Sequence, residues 1–86
     1  MSSPVLPVRL YPGQVSIYGA ASLTGITSDK MQFGLINQMA DNIPNSVSVG
    51  DSVMFRLDKS ETIYYGSNTY FLINQNDIKL IEIVVT

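Results

Sequence analysis

Carboxylates and hydroxyls are the main groups with which this 86-residue chain could do chemistry, because it contains no histidine and no cysteine. The commonest general base, the commonest metal ligand and every thiolate are therefore missing. The carboxylates are scattered singly, without the spacing of a calcium-binding loop. They are Asp29, Asp41, Asp51, Asp58, Glu61, Asp77 and Glu82. We therefore predict no metal site, no cofactor and no catalytic residue.

The hydroxyls and the individual acids fit structural roles better than catalytic ones. Ser16, Ser22 and Ser52 have no neighbouring base in the sequence that could activate them as nucleophiles. Asp51 follows Gly50, a pair typical of a tight turn in which the aspartate accepts hydrogen bonds from nearby backbone amides. The sequence therefore predicts a protein that is not an enzyme.

The low charge of the chain bears on its partners. Its net charge is −2 with only five basic residues, which argues against nucleic-acid binding, since that draws on contacts between basic side chains and phosphates. Charged residues make up 14% of the chain, against about a quarter in an average protein. A surface hidden against neighbouring subunits needs fewer charges, so the composition favours an assembly subunit. A genomic bias towards Asn and Ile explains it equally well.

The same composition bounds the location. There is no run of about 18 apolar residues that could span a membrane, and the N-terminus lacks the pattern of a secretion signal. We expect the protein in the cytoplasm or in a virion.

Alternating polar and apolar residues, separated by turn signals, predict an all-β fold of six to seven short strands. This is a small, partly closed β-barrel. The segment 30–37 also places apolar residues four apart, as a helix would, but Gly34 weakens a helix and favours a strand. The predicted strands are 14–18, 30–37, 52–56, 61–65, 69–73 and 78–85. In the last of these, Ile81, Ile83 and Val85 are predicted to face the core.

The domain division follows from the prolines at the start. Pro4 and Pro7 predict an extended arm over residues 1–8, because proline lacks an amide donor. The arm is either a frayed terminus or a segment laid across a neighbouring subunit. Residues 9–86 form the single barrel domain.

Residues 47–81 carry a recognisable series of short motifs. A Val-Gly-Asp turn enters a strand, a later glycine turns a hairpin, and an aromatic-aliphatic strand precedes an Asp-Ile step. These are Val49-Gly50-Asp51, Val53, Phe55, Thr62, Ile63, Gly66, Tyr70-Phe71-Leu72-Ile73, Asp77-Ile78 and Ile81. In this region the chain resembles the ring-forming co-chaperonins, the GroES-like family, whose small barrel is also SH3-like.

The resemblance implies a chaperonin as partner, bound through a mobile loop near the N-terminus. The candidate for that loop is Leu23-Thr24-Gly25-Ile26. It departs from the family pattern, because Thr27 and Ser28 follow where aliphatic residues should continue. Read from the residues alone, Leu23 and Ile26 either dock on a partner or fill the protein's own core.

Adjacent aromatic side chains form a second candidate binding site. Tyr64 and Tyr65 point to opposite faces of a predicted strand, so we expect one of them to be exposed, as suits a protein interface. For the wider set of Tyr64, Tyr65, Tyr70, Phe55 and Phe71, cross-strand aromatic packing is the favoured interpretation. A stacking platform for single-stranded nucleic acid or sugar is the alternative. The leading hypothesis is a non-catalytic barrel subunit that builds or decorates a large symmetric assembly, such as a virion. A divergent co-chaperonin ranks second, and a barrel that binds nucleic acid or sugar ranks third.

Overall fold

The computed structural model describes residues 7–42 and 46–83, and it confirms the all-β prediction. The strands are β1 (Gln14–Gly19), β2 (Met31–Met39), β3 (Ser52–Arg56), β4 (Glu61–Tyr65), β5 (Asn68–Asn74) and β6 (Ile78–Ile81). Short 3-10 turns, Leu57–Lys59 and Gln75–Asp77, lead into β4 and β6. The ambiguous segment after Lys30 is a strand of nine residues.

All six strands belong to one sheet in the order β4-β5-β1-β2-β3-β6, and every neighbouring pair is antiparallel. With an even number of alternating strands, the two edge strands β4 and β6 run in opposite directions. The sheet is curled but not closed into a complete barrel.

The core lies on the concave face of this curled sheet. Phe55 of β3 and Phe71 of β5 are three strands apart, yet their ring centroids are 5.3 Å apart. The buried members of the core cluster are Val15, Ile17, Ile36, Val47, Val53, Phe55 and Ile73. Contact between distant strands across one apolar face therefore accounts for the barrel-like curvature.

A second group of side chains is buried on the opposite face. The ring of Tyr70, which is fully buried, meets the ring of Tyr18 edge-on with centroids 5.5 Å apart. Burial raises the pKa of Tyr70. The Tyr18 hydroxyl donates to Asn68 Oδ1 at 2.9 Å, and Gln38 Nε2 donates to the carbonyl of Val8 at 2.7 Å. The first described residues thus contact the sheet of their own chain.

Gly34 allows β1 and β2 to approach closely. A Cβ atom at this position would lie 2.3 Å from Ile17 Cγ2 and 2.8 Å from the carbonyl oxygen of Tyr18. The same glycine that argues against a helix in the sequence is therefore needed by the strand pairing.

One prediction about β6 is wrong. Its pairing with β3 shifts register, with Leu80 opposite Met54 and Ile78 opposite Phe55, which leaves Lys79 as an extra residue. The strict alternation assumed for 78–85 is therefore broken, and Ile78 packs on the core. Ile81 is 39% exposed and Ile83 is 79% exposed, so they are not core residues.

Two predictions concern residues that the structure does not describe. Val85 and residues 1–6 of the predicted arm lie outside the described residues. Among the residues that are described, no helix has the length and apolar character needed to cross a membrane.

Candidate protein-binding site

Glu82, directly after β6, fixes the loop that contains the sequence-predicted residues 23–26. One carboxylate oxygen accepts from the Leu23 amide at 2.9 Å. The other accepts from the Ser22 hydroxyl at 2.6 Å, from the Thr24 amide at 3.0 Å and from the Thr24 hydroxyl. The loop is therefore held by its backbone and its hydroxyls, and its apolar side chains take no part in these bonds.

A fifth donor links the same carboxylate to the sheet. Ser52 begins β3, is 4% exposed, and its hydroxyl donates to Glu82 Oε1 at 2.5 Å. The Glu82 amide in turn donates to the Ser52 carbonyl at 2.7 Å, which extends the β3–β6 pairing by one residue. Partial burial by itself raises the pKa of Glu82, but the hydrogen bonds from the hydroxyls of Ser22, Ser52 and Thr24 and from the Leu23 amide outweigh it and lower that pKa from 4.5 to about 2. The carboxylate is therefore ionised at neutral pH.

Ser22 completes the loop from within. Its hydroxyl oxygen accepts from the amides of Thr24 at 3.2 Å and Gly25 at 3.1 Å, and Gly25 takes a φ of 86°. Polar bonds thus shape the turn, while Leu23 remains 58% exposed and Ile26 47% exposed. The predicted residues do lie together on one loop, and its two aliphatic side chains are not core residues.

Two grooves lie beside β6 and share Leu80 and Ile81 in their linings. One, of about 400 Å³, is lined by Thr24, Ile26, Phe33, Leu80, Ile81, Glu82 and Ile83. The other, of about 370 Å³, is lined by Ser46, Val47, Gln75 and the β6 residues Ile78 to Ile81. Both linings are mainly apolar, and both lie beside the edge strand whose second side has no partner strand among the described residues.

Tyr64 and Tyr65 lie on β4, the other edge strand of the sheet. Tyr64 is opposite Thr69 and Tyr65 is opposite Asn68, so the two rings point to opposite faces. Tyr64 is 77% exposed and Tyr65 is 48% exposed. The structure therefore does not bring them together with the loop of residues 23–26. Both tyrosines line a separate cleft of about 320 Å³, together with Pro7, Val8 and Leu10.

The remaining charged groups behave as surface residues. Arg56 donates two hydrogen bonds to Asp58, the shorter at 2.7 Å, and this holds the pKa of Asp58 below its usual range. Asp51 accepts from the Ser48 amide at 2.9 Å, as predicted for a turn aspartate. Within 7–42 and 46–83, no three acidic side chains are grouped as a metal site would require.

Glu82 is the residue of this site that the sequence reasoning missed. In the sequence it is one of seven acids that are scattered singly. A signal was present, since Glu82 is a single carboxylate between Ile81 and Ile83 in an otherwise apolar segment. A lone charge in such a segment needs donors, and the loop from Ser22 is rich in them.

The comparisons with known proteins add no relative: no protein-family model matches the chain, and no curated protein is significantly similar to it.

Proposed function

We propose that this protein is a non-catalytic β-barrel subunit that assembles with further copies of itself into a large symmetric structure, of the kind found in rings and virion shells. The observation that carries the proposal is the exposed apolar surface at β6, made of Leu23, Ile26, Leu80, Ile81 and Ile83. An apolar surface beside an unpaired strand edge is typical of a protein-binding site.

The charges around this surface support a protein partner. Glu82 is the carboxylate in the groove, and its negative charge is satisfied by five donors from its own chain. It therefore does not require a cation from a ligand. β6 carries a single basic side chain, Lys79. One lysine does not supply the several positive charges that binding to nucleic-acid phosphates requires.

The test is the mass of the purified protein in solution, measured by size-exclusion chromatography with light scattering over a range of concentrations. We expect a defined multiple of the 9.5 kDa chain mass. A monomer at every concentration would contradict the proposal. Introducing a charge at the most exposed residue of the surface, Ile83→Lys, should reduce the assembled fraction, and Val49→Lys, another exposed aliphatic position, is the matched control.

A divergent co-chaperonin is the second candidate, and the loop of residues 23–26 favours it. Leu23 and Ile26 are exposed aliphatic side chains on a loop, as a docking contact to a chaperonin would need. The test is co-elution with a chaperonin in the presence and absence of nucleotide. Nucleotide-dependent binding that is lost in Ile26→Ser would support this function, and no binding under either condition would rule it out.

A further inference from the structure

Residues 7–10, the first that the structure describes, form a strap across the face of the sheet opposite the core. On one side of the strap, Gln38 Nε2 of β2 donates to the carbonyl of Val8 at 2.7 Å. On the other side, the strap lines a cleft of about 320 Å³ together with Leu72 of β5. Ser16 of β1 is paired with both Gln38 and Leu72, so these three side chains share one face, with Ser16 in the middle. The strap therefore passes over Ser16, which accounts for the complete burial of that residue.

The strap is held much more loosely than the turn that follows it. Within residues 7–42 and 46–83, the bond from Gln38 to Val8 is the one hydrogen bond between the strap and the sheet. The side chains of Pro7, Val8 and Arg9 are exposed. The next turn is held by four hydrogen bonds, donated by the amides of Tyr11, Gly13, Gln14 and Gln75. The point at which the chain could hinge is therefore the link between Leu10 and Tyr11.

Polar atoms beneath the strap oppose its closed position. The Ser16 hydroxyl and Gln38 Oε1 are both buried, and neither has a hydrogen-bond partner among the described residues. A buried polar atom without a partner has lost its bonds to water, and that costs more than an ordinary hydrogen bond contributes. Lifting the strap would let both atoms bond to water. The single bond to Val8 is therefore set against two groups that favour opening.

We propose that the strap opens as a unit about the link between Leu10 and Tyr11, while the six strands of the sheet stay paired. Opening uncovers Ser16 and widens the cleft that Tyr64 and Tyr65 line, so the strap controls access to this face. This is a local equilibrium within one chain. It goes beyond the proposed function and does not depend on assembly, so a protein that stays monomeric would show it as well.

Trypsin tests the opening because Arg9 lies within the strap. Cleavage after Arg9 needs a released segment, so its rate follows the population of the open form. We expect the natural protein to be cut after Arg9 before it is cut after Lys79, which lies within β6. Ser16→Ala removes one unpartnered group from beneath the strap and should slow cleavage after Arg9 by about five-fold or more, without slowing cleavage after Lys79.

A change at Gln38 should act in the opposite direction. In Gln38→Glu the carboxylate cannot donate to the Val8 carbonyl, so cleavage after Arg9 should become about five-fold faster or more. The matched control is Gln32→Glu, because Gln32 lies on the same strand and its side chain donates to the carbonyls of Ala20 and Phe33 instead. This control should leave the rate after Arg9 unchanged.

Thiol labelling tests what the strap covers, since the chain has no cysteine of its own. Ser16 and Val53 are both fully buried, but Val53 belongs to the core cluster on the other face. In the folded protein, Ser16→Cys should react with a thiol reagent at least about ten-fold faster than Val53→Cys, because only position 16 is reached by local opening.

The outcomes decide the inference in either direction. Slower cleavage in Ser16→Ala, faster cleavage in Gln38→Glu and faster labelling at position 16 support a strap that opens by itself. Rates after Arg9 and Lys79 that change together in every variant would show that the strap leaves only when the sheet does, and would overturn it. Equal labelling of Ser16→Cys and Val53→Cys would overturn it as well. None of these results bears on assembly, which the mass in solution decides separately.

Discussion

Two buried serines with different surroundings offer a controlled test of the bonds around Glu82. Ser52 is 4% exposed, and its hydroxyl donates to the carboxylate at 2.5 Å. Ser16 is fully buried, and its hydroxyl has no hydrogen-bond partner among the described residues. The change from serine to alanine removes the same oxygen at both sites, so the difference in effect reports on the hydrogen bond.

The two substitutions should have opposite consequences. A hydrogen bond to a charged group contributes about 1.5–3 kcal/mol, so Ser52→Ala should lower the free energy of unfolding by about 1.5 kcal/mol or more. For a domain of this size that corresponds to a fall in Tm of at least about 6 °C. Ser16→Ala removes a buried hydroxyl without a partner, and its Tm should stay the same or rise.

The assay is urea unfolding at pH 7, followed by far-ultraviolet circular dichroism at one low protein concentration, so that assembly contributes equally to every variant. The slope of the transition should not change. Equal losses of stability at Ser52 and Ser16, or a larger loss at Ser16, would refute the assignment of Glu82 as a stabilising acceptor.

The remaining predictions concern acidity, packing and the surface. Because the folded pKa of Glu82 (about 2) lies below its unfolded value (4.5), its stabilising effect is present above pH 4.5 and is lost as the pH falls to 2. The urea midpoints of the natural protein and Glu82→Gln should therefore differ at pH 7 and converge near pH 2; a constant difference would contradict this. Gly34→Ala should destabilise by about 1–3 kcal/mol, since its Cβ would overlap with β1. A Cβ atom at position 25 would meet no atom within 4 Å, so Gly25→Ala is disfavoured only by the φ of 86° and should lower the free energy of unfolding by about 1 kcal/mol. If urea unfolding showed a larger loss for Gly25→Ala than for Gly34→Ala, it would be evidence against the packing argument. Arg56→Ala should leave Tm unchanged, because the ion pair with Asp58 is exposed, and a clear fall in a thermal melt would argue otherwise.

The strands were predictable because local sequence determines most of them. Ser52–Arg56 and Glu61–Tyr65 have the predicted bounds, and both are flanked by residues with strong turn preferences. Gly50 and Gly66 both have positive φ, as predicted turn glycines should. These features depend on neighbours in the chain and can be read from a short window.

The errors arise where distant parts of the chain meet. The extra residue at Lys79 is imposed by pairing with β3, and no signal in the segment 78–85 reveals it. In the same way, the role of Glu82 depends on donors 58 to 60 residues earlier in the chain. The sequence left two alternatives for Leu23 and Ile26, exposure on a loop or burial in the core. In the structure both side chains are exposed.

The position of Glu82 also couples two parts of the protein that are far apart in sequence. The loop of residues 22–25 is held by hydrogen bonds to Glu82, so we expect it to become ordered only when β6 has docked on β3. Separation of β6 from the sheet would release the loop at the same moment, as one cooperative unit of local unfolding. A neighbour that holds β6 in place would consequently hold the loop rigid as well, and hydrogen exchange at the amides of Leu23 and Thr24, which donate to Glu82, would slow on assembly.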